Sequence, residues 1–243
     1  MRIKERLEDV RSRMAEAALR AGRDPGEIQL VAVSKTVSVE KVREAIEAGV
    51  TILGENRVQE ARAKIAQLHG LACWHLVGHL QTNKAKLAAT LFDLIHSLDS
   101  LHLARELDKA GQALGRPVEA LIQVKLAEER TKSGLPEEEL PLLLKTLADL
   151  PFVSVKGLML LPPYCPDPEA IRPYFSRLRA LRDRLQQEDL PQNVQLQHLS
   201  MGMSHDFEVA IEEGATLVRI GTAIFGPRPQ EELRAARDKL LCG

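Results

Sequence analysis

The sequence is poor in cysteine, and its few cysteines are far apart. They are Cys73, Cys165 and Cys242 in a chain of 243 residues. No two of them form a CxxC pair, so the ligand spacing of a structural zinc site is missing, and a disulfide framework would need more cysteines at closer spacing. We therefore expect a chain that folds in the reducing cytoplasm and binds no metal.

The sequence also lacks a long apolar segment and an excess of charge of one sign. No stretch approaches the roughly 18 apolar residues of a membrane-spanning helix, and residues 1–10 carry charges where a signal peptide needs its apolar stretch. Lys and Arg total 33, Asp and Glu total 34, and the formal net charge is −1. Because basic and acidic residues are interspersed, we expect neither a nucleic acid nor a membrane as partner.

No linker rich in proline, serine and glycine divides the chain, which predicts a single domain over residues 1–243. In the first twenty residues, Ile3, Leu7, Val10 and Met14 recur at a spacing of three to four. This spacing predicts an amphipathic helix that ends near Gly22 and precedes the rest of the fold.

The remainder of the chain alternates short apolar runs with longer helical patterns, which is typical of βα units around a parallel sheet. The predicted strands are residues 29–34, 52–55, 74–78, 94–97, 120–125, 155–160, 196–199 and 217–221. Ser38 is a candidate N-cap for a helix over residues 39–48, and a helix over residues 209–213 should end at Gly214. Eight such units predict an α/β fold of the (β/α)₈ or TIM barrel type; an open doubly wound sheet is the alternative.

Lys35 stands directly after the first apolar run, where a buried strand should end. Alternation along a strand places Val31, Val33 and Lys35 on one face, so we expect the amine to be partly desolvated. Desolvation lowers the pKa of an ammonium group, and a partly neutral lysine forms Schiff bases with aldehydes such as pyridoxal phosphate. A lysine that extends its amine into solvent is the alternative interpretation.

In such barrels the loops after strands seven and eight often bind phosphate. Here those strands lead into Ser200, Gly202 and Ser204, and into Gly221 and Thr222. The glycines allow close approach of the backbone, and the hydroxyl groups are hydrogen-bond donors. We therefore predict a phosphate site, with a flexible turn and N-cap as the alternative.

Arg219 lies inside the apolar run of the eighth strand, where a permanent charge needs a partner. A pyridine ring nitrogen would accept its hydrogen bond and would stay unprotonated, which weakens the ring as an electron sink. An internal salt bridge to Asp206 or to a glutamate of the second strand is the alternative.

Six ordered motifs resemble those of the YggS/PROSC family of pyridoxal phosphate (PLP) homeostasis proteins, whose fold is similar to the N-terminal barrel of alanine racemase. They occupy residues 30–35, 54–56, 75–84, 156–159, 199–204 and 218–226. The resemblance implies that Lys35 carries PLP as a Schiff base, that Asn56 lies near the ring and that Arg219 faces the pyridine nitrogen. It assigns the phosphate to four further residues, which are Ser200, Ser204, Gly221 and Thr222. Lys132 falls in a recurrent segment and is a candidate second lysine contact.

Alanine racemase needs a second base, a tyrosine from another domain, and after Gly226 we expect here only a closing helix at residues 230–241. We therefore expect a monomeric, cytoplasmic PLP carrier or regulator without catalytic residues or robust catalysis, with PLP-dependent apo-enzymes as candidate recipients. One alternative is a PLP-dependent amino-acid racemase that uses His79, Tyr164 or His205 as the second base. Another is an aldolase-like enzyme that uses Lys35 on a sugar phosphate.

Overall fold

The structure, a computed structural model, describes residues 2–126 and 133–227. Lys132, Cys242 and the predicted closing helix at residues 230–241 lie outside these ranges. The strands of the described residues are β1 (Gln29–Val33), β2 (Ile52–Glu55), β3 (Cys73–Leu76), β4 (Leu94–Leu98), β5 (Val118–Lys125), β6 (Leu135–Pro136), β7 (Val153–Leu160), β8 (Val194–Met203) and β9 (Leu217–Ile220). The α-helices are α1 (Ile3–Arg20), α2 (Val39–Glu47), α3 (Val58–Leu68), α4 (Ala85–Leu91), α5 (Leu101–Leu114), α6 (Leu140–Leu147), α7 (Arg172–Leu185), α8 (Phe207–Glu212) and α9 (Thr222–Phe225).

Eight parallel strands close into a barrel. Neighbours run in the order β4, β3, β2, β1, β9, β8, β7, β5, and pairing of β4 with β5 completes the ring. The two-residue strand β6 is an additional parallel partner of β5. The predicted (β/α)₈ barrel is therefore confirmed, and β6 is a strand that the sequence pattern did not predict.

Apolar side chains form two separate layers on either side of the strands. A large cluster lies between the outer faces of the strands and the helices. A small cluster fills the barrel interior and includes Val31 of β1, Leu121 of β5 and Met159 of β7. The interior also holds buried polar side chains from β3, β4, β8 and β9, among them His96 and Arg219. A barrel interior that is only partly apolar must satisfy these polar groups by hydrogen bonds.

The N-terminal helix α1 packs against α8 and α9, beside the last strands of the barrel. Its buried side chains recur at helical spacing and include Leu7, Val10 and Met14, which confirms the predicted amphipathic helix. On its polar side, Arg13 forms an ion pair with Glu208 and Arg20 forms one with Glu212. The helix is therefore part of the barrel wall.

Two local predictions need correction. Strand β8 extends to Met203, so Ser200 lies within the strand and is fully buried, whereas the sequence pattern ended this strand at residue 199. Ser38 does occupy the N-cap position of α2, but its side chain accepts no hydrogen bond from a helix amide. In both cases the sequence signal was local, while barrel pairing and side-chain orientation decided the outcome.

Among residues 2–126 and 133–227, no helix combines the length and the apolar character needed to cross a bilayer. Within the same ranges, His, Cys, Asp and Glu side chains form no group of three or more suited to a metal ion.

Gly157 of β7 is a point where two strands approach too closely for a side chain. A Cβ atom added there would overlap the backbone carbonyl oxygen of His198 on β8. We expect Gly157→Ala to lower the free energy of unfolding by about 2–3 kcal/mol, because the strands must separate to admit the methyl group. Urea unfolding measures this change.

Gly26→Ala is the control, since its Cβ would lie 3.3 Å from an Asp24 carboxylate oxygen in an exposed turn. We expect it to change stability by less than about 0.5 kcal/mol. Equal stability of the two variants would contradict the close pairing of β7 with β8.

Candidate functional site

Polar residues collect at the carboxyl ends of four neighbouring strands, β2, β1, β9 and β8. Lys35 follows β1 and is half-buried, and Asn56 follows the adjacent strand β2. Arg219 lies in β9 opposite Val31 of β1. The remaining predicted site residues lie within or directly after β8 and β9, and they are Ser200, Ser204, Gly221 and Thr222. The barrel thus brings residues that are far apart in sequence to adjacent strand ends.

A buried network fixes the residue that precedes Lys35. The hydroxyl of Ser34 donates to Oε1 of Glu55 at 2.6 Å, and its carbonyl oxygen accepts from Nζ of Lys64 at 2.6 Å. Lys64 also donates to Oε1 of Glu55 at 2.7 Å. All three side chains are buried, so this network ties the end of β1 to β2 and to α3.

The residue that follows Lys35 is held in a strained conformation. Thr36 has a φ of 62°, the only positive φ of a residue other than glycine in the described part of the chain. For a β-branched residue this conformation is unfavourable, with a cost on the order of 1–3 kcal/mol. The Thr36 amide donates to Oε1 of Glu60 at 2.6 Å, and the same oxygen accepts from Lys64 at 2.9 Å. Lys35 is therefore held between two anchored residues.

Lys64 donates hydrogen bonds to two carboxylates, Glu55 and Glu60, whose pKa values shift in opposite directions. Burial raises the pKa of Glu55, against the effect of hydrogen bonds from Lys64 and Ser34. For Glu60, partial burial acts in the same direction, but hydrogen bonds from Lys64 and the Thr36 amide outweigh it and lower the pKa. Removal of Lys64 would leave buried negative charge without compensation, so its amine is a structural cation at the base of the Lys35 turn.

Arg219 has no carboxylate partner among the described residues. Its side chain is 4% exposed, and it donates from Nη1 to Oγ of Ser200 at 2.6 Å and from Nη2 to the carbonyl oxygen of Leu160 at 2.9 Å. Burial lowers its pKa to about 10, while the charge of Asp206 acts in the opposite direction. The salt bridge considered from the sequence is therefore wrong, since both acceptors are neutral.

Ser204 meets the backbone at the end of β9. Its hydroxyl oxygen accepts from the amide of Gly221 at 3.2 Å and from the amide of Ala223 at 3.4 Å. A Cβ atom on Gly221 would lie 3.2 Å from the carbonyl oxygen of Val33, which brings this segment close to the end of β1. Backbone amides and a hydroxyl group are the donors that phosphate groups accept from in proteins.

Asn56 is placed by a close contact between backbones. A Cβ atom on Gly78 would overlap the carbonyl oxygen of Asn56, so only glycine at position 78 allows this approach. The half-buried Asn56 follows directly after Glu55, which belongs to the network around the Lys35 turn.

The three residues considered as a second base have other contacts. His79 is 52% exposed, and its Nδ1 lies 3.0 Å from a carboxylate oxygen of Asp99. Tyr164 is 79% exposed, and its ring lies 5.9 Å from the ring of His205. Nε2 of His205 lies 2.8 Å from the carbonyl oxygen of Pro166.

The sequence analysis missed Lys64 and two buried histidines, His75 and His96. Lys64 interrupts the apolar stripe that Ala61 and Leu68 form on α3. His96 lies in the fully buried strand β4. A polar residue within an apolar pattern was the signal that identified Arg219, and it would have identified these residues too.

Comparison with known proteins gives consistent relatives. The sequence matches the family described as the N-terminal domain of alanine racemase over residues 6–229. A pyridoxal phosphate homeostasis protein of Aquifex aeolicus is 50% identical over 225 residues, which cover 92% of this chain and 97% of that protein. A protein of the same name from Escherichia coli is 41% identical over 231 residues, with coverage of 93% and 97%.

Solved structures agree with the fold. The structure of PipY from Synechococcus elongatus, with PLP bound, has a TM-score of 0.82 at 40% identity. The match covers 93% of this chain and 100% of PipY. Alanine racemase of Bartonella henselae has a TM-score of 0.68 at 16% identity, with coverage of 94% and 62%. At that identity, the second likeness concerns the fold alone.

Glu60→Ala tests whether the carboxylate holds the Lys35 turn. We expect a loss of about 1–2 kcal/mol in the free energy of unfolding, because the Thr36 amide and Lys64 each lose an acceptor. Hydrogen exchange of the Thr36 amide should accelerate, and exchange measured by NMR in the folded state reports it.

Arg62→Ala, on an exposed position of the same helix, is the matched control and should change neither quantity. If the Thr36 amide exchanged at the same rate in wild type and Glu60→Ala, the carboxylate would not hold this turn.

Proposed function

Because the chain belongs to the family of pyridoxal phosphate homeostasis proteins, we propose that it binds pyridoxal 5′-phosphate at Lys35 and acts as an intracellular carrier or regulator of this cofactor. The observation that carries the proposal is the arrangement of three donors on adjacent strands. A lysine follows β1, a buried arginine lies opposite β1 on β9, and a serine contacts the backbone at the end of β9.

The donors present suit each end of the cofactor. PLP has a phosphate group, a pyridine nitrogen and an aldehyde, and it therefore needs anion donors, a group facing the nitrogen and an amine. Ser204 and Thr222 supply hydroxyl donors for the phosphate, beside the amides of Gly221 and Ala223, which contact the Ser204 hydroxyl oxygen. Arg219 has no carboxylate partner among the described residues and can donate to an acceptor in the pocket. The residues present therefore fit the group.

Lys35 is the attachment point for the aldehyde. When bound, PLP supplies an aldehyde that condenses reversibly with a lysine amine to form a Schiff base. The network of Ser34, Glu55 and Lys64 before Lys35, and the bond between Thr36 and Glu60 after it, limit the orientations of the lysine backbone. A fixed backbone lowers the entropic cost of holding the amine in the pocket.

Ser200 contributes to the site through Arg219. The sequence analysis assigned this residue to the phosphate, but its hydroxyl is fully buried and accepts from the guanidinium of Arg219. It therefore fixes the direction of the arginine, while Ser204 serves the phosphate. Asn56, which follows β2 and is held close to Gly78, is the residue we assign to the ring.

Several features favour a carrier over an enzyme. Arginine at the ring nitrogen donates and does not supply a proton, so the ring is a poor electron sink. Of His79, Tyr164 and His205, only His79 contacts a carboxylate of the described residues, that of Asp99, and its imidazole is half exposed. The relatives are homeostasis proteins by name. Storage and release of PLP for PLP-dependent apo-enzymes, by a monomer in the cytoplasm, is the role we propose.

Lys35→Ala tests the attachment. Wild-type protein with added PLP should show a visible absorption band that borohydride fixes onto Lys35, as peptide mass mapping reports. In Lys35→Ala both the band and the label should disappear, since the other amine at this turn, that of Lys64, is buried and bonded to Ser34, Glu55 and Glu60. Lys41→Ala, at an exposed position of α2, is the control and should behave as wild type. Labels spread over surface lysines in wild type would contradict the proposed site.

Ser204→Ala tests the phosphate end. The affinity for PLP should fall about tenfold, because the phosphate loses a hydroxyl donor. The affinity for pyridoxal, which has no phosphate, should stay within about twofold of wild type. Spectroscopic titration with both compounds measures this difference, and an equal loss for both would place the phosphate elsewhere.

A further inference from the structure

A chain of hydrogen bonds extends from Arg219 through the barrel interior toward the amino ends of the strands. Nη1 of Arg219 donates to Oγ of Ser200, which lies 2.8 Å from Nδ1 of His96. Nε2 of His96 lies 3.0 Å from Nδ1 of His75. Four side chains on β9, β8, β4 and β3 thus form one continuous path, and none of them is more than 6% exposed.

The chemistry of the groups sets the direction of this chain. Arginine only donates, so Ser200 accepts from Arg219, and its single hydrogen is left for Nδ1 of His96. His96 then carries its proton on Nε2 and donates it to Nδ1 of His75. In the opposite direction, the Ser200 hydrogen would have no acceptor among the described residues. Only the first direction satisfies every contact in the chain.

Both histidines are neutral, as this direction requires. Burial lowers the pKa of His75 to about 4, with the charge of His198 acting the same way. Burial also lowers the pKa of His96 well below its usual value, and His75, Arg219 and His198 add to the effect. A serine whose hydrogen is drawn toward His96 is a stronger acceptor for Arg219, since linked hydrogen bonds polarise one another.

The far end of the hydrogen-bond chain reaches a cavity at the opposite end of the barrel from Lys35. A cavity of about 740 Å³ lies at the amino ends of the strands, and His75 and His198 are in its lining. The first residues of several strands also line it, namely Gln29, Cys73, Leu94 and Leu217. His198 lines the same cavity but takes no part in the hydrogen-bond chain, because its Nδ1 lies 3.2 Å from the Thr216 hydroxyl. It is therefore a suitable control for His75.

We propose that His96 and His75 are positioning residues for Arg219, which hold its guanidinium toward the cofactor ring and link the PLP site to the cavity at the opposite end of the barrel. The inference rests on the proposed function, because it assigns Arg219 to the pyridine nitrogen. It adds two residues that lie away from the Lys35 end of the site and a direction of hydrogen bonding.

The first test compares His75→Phe and His96→Phe with the matched variant His198→Phe, which removes an imidazole from the same cavity. Each of the first two should weaken PLP binding about tenfold and shift the pH at which the absorption band of the Lys35 adduct titrates. His198→Phe should leave both quantities within about twofold of wild type. His75→Gln, which keeps an acceptor and a donor, should recover most of the affinity.

Equal effects of His75→Phe and His198→Phe would overturn the proposal, because both would then report general packing. Thermal unfolding of the unliganded variants shows which of them remain folded, and His75→Phe at the cavity lining carries the test if His96→Phe does not fold.

The second test needs no cofactor. NMR of the protein with ¹⁵N-labelled histidine should show His96 and His75 at pH 7 as neutral rings protonated on Nε2, with signals assigned from the two variants. A charged ring, or a proton on Nδ1 of His96, would overturn the chain. If wild type failed to bind PLP while the Nε2 protons were found, the proposed function would fail and the chain would stand as a structural feature only.

Discussion

A buried guanidinium inside the barrel is the constraint on which much of this structure depends. Removal of Arg219 from water costs free energy, and among the described residues no carboxylate accepts a hydrogen bond from it, although the charge of Asp206 offsets part of the cost. Instead, the Ser200 hydroxyl and the Leu160 carbonyl oxygen accept its hydrogen bonds. Those acceptors require polar neighbours of their own, and so part of the barrel interior holds histidine and serine where apolar side chains would pack more simply. In the proposed function, the remaining donors of the arginine serve the ligand.

The Lys35 turn is the second point at which stability is given up for a defined geometry. A threonine with positive φ and a lysine between two carboxylates are both unfavourable in isolation. Together they hold the backbone on both sides of Lys35, and each makes the other tolerable. Such arrangements occur where a protein must present one side chain in one direction. A carrier needs this as much as an enzyme does, because binding depends on preorganisation.

The barrel itself could be predicted from the sequence because each strand is a short apolar run between turn signals. In each amphipathic helix, apolar residues recur at a spacing of three to four. Strand β2 was predicted at the bounds that it has, Ile52–Glu55, and α1 at the length of its apolar stripe. Strand β6 was missed because two residues are too few to show the alternation of apolar and polar side chains that predicts a strand. The end of β8 was misplaced because serine and glycine usually mark turns, whereas in the barrel Ser200 pairs as a strand residue with Met159 and Leu217.

The sequence by itself determined the fold class, the family and the residues that stand at strand ends, since these follow from local pattern and from motif order. It left the partner of Arg219 open between a ligand and a salt bridge, and it gave no sign that Lys64 supports Lys35. Only the tertiary structure excluded the salt bridge and showed the contacts of Lys64. Ser200 of β8 and His96 of β4 are 104 residues apart, and they meet because a closed barrel brings opposing strands around one axis. Contacts across that axis depend on register and closure, which no local segment encodes.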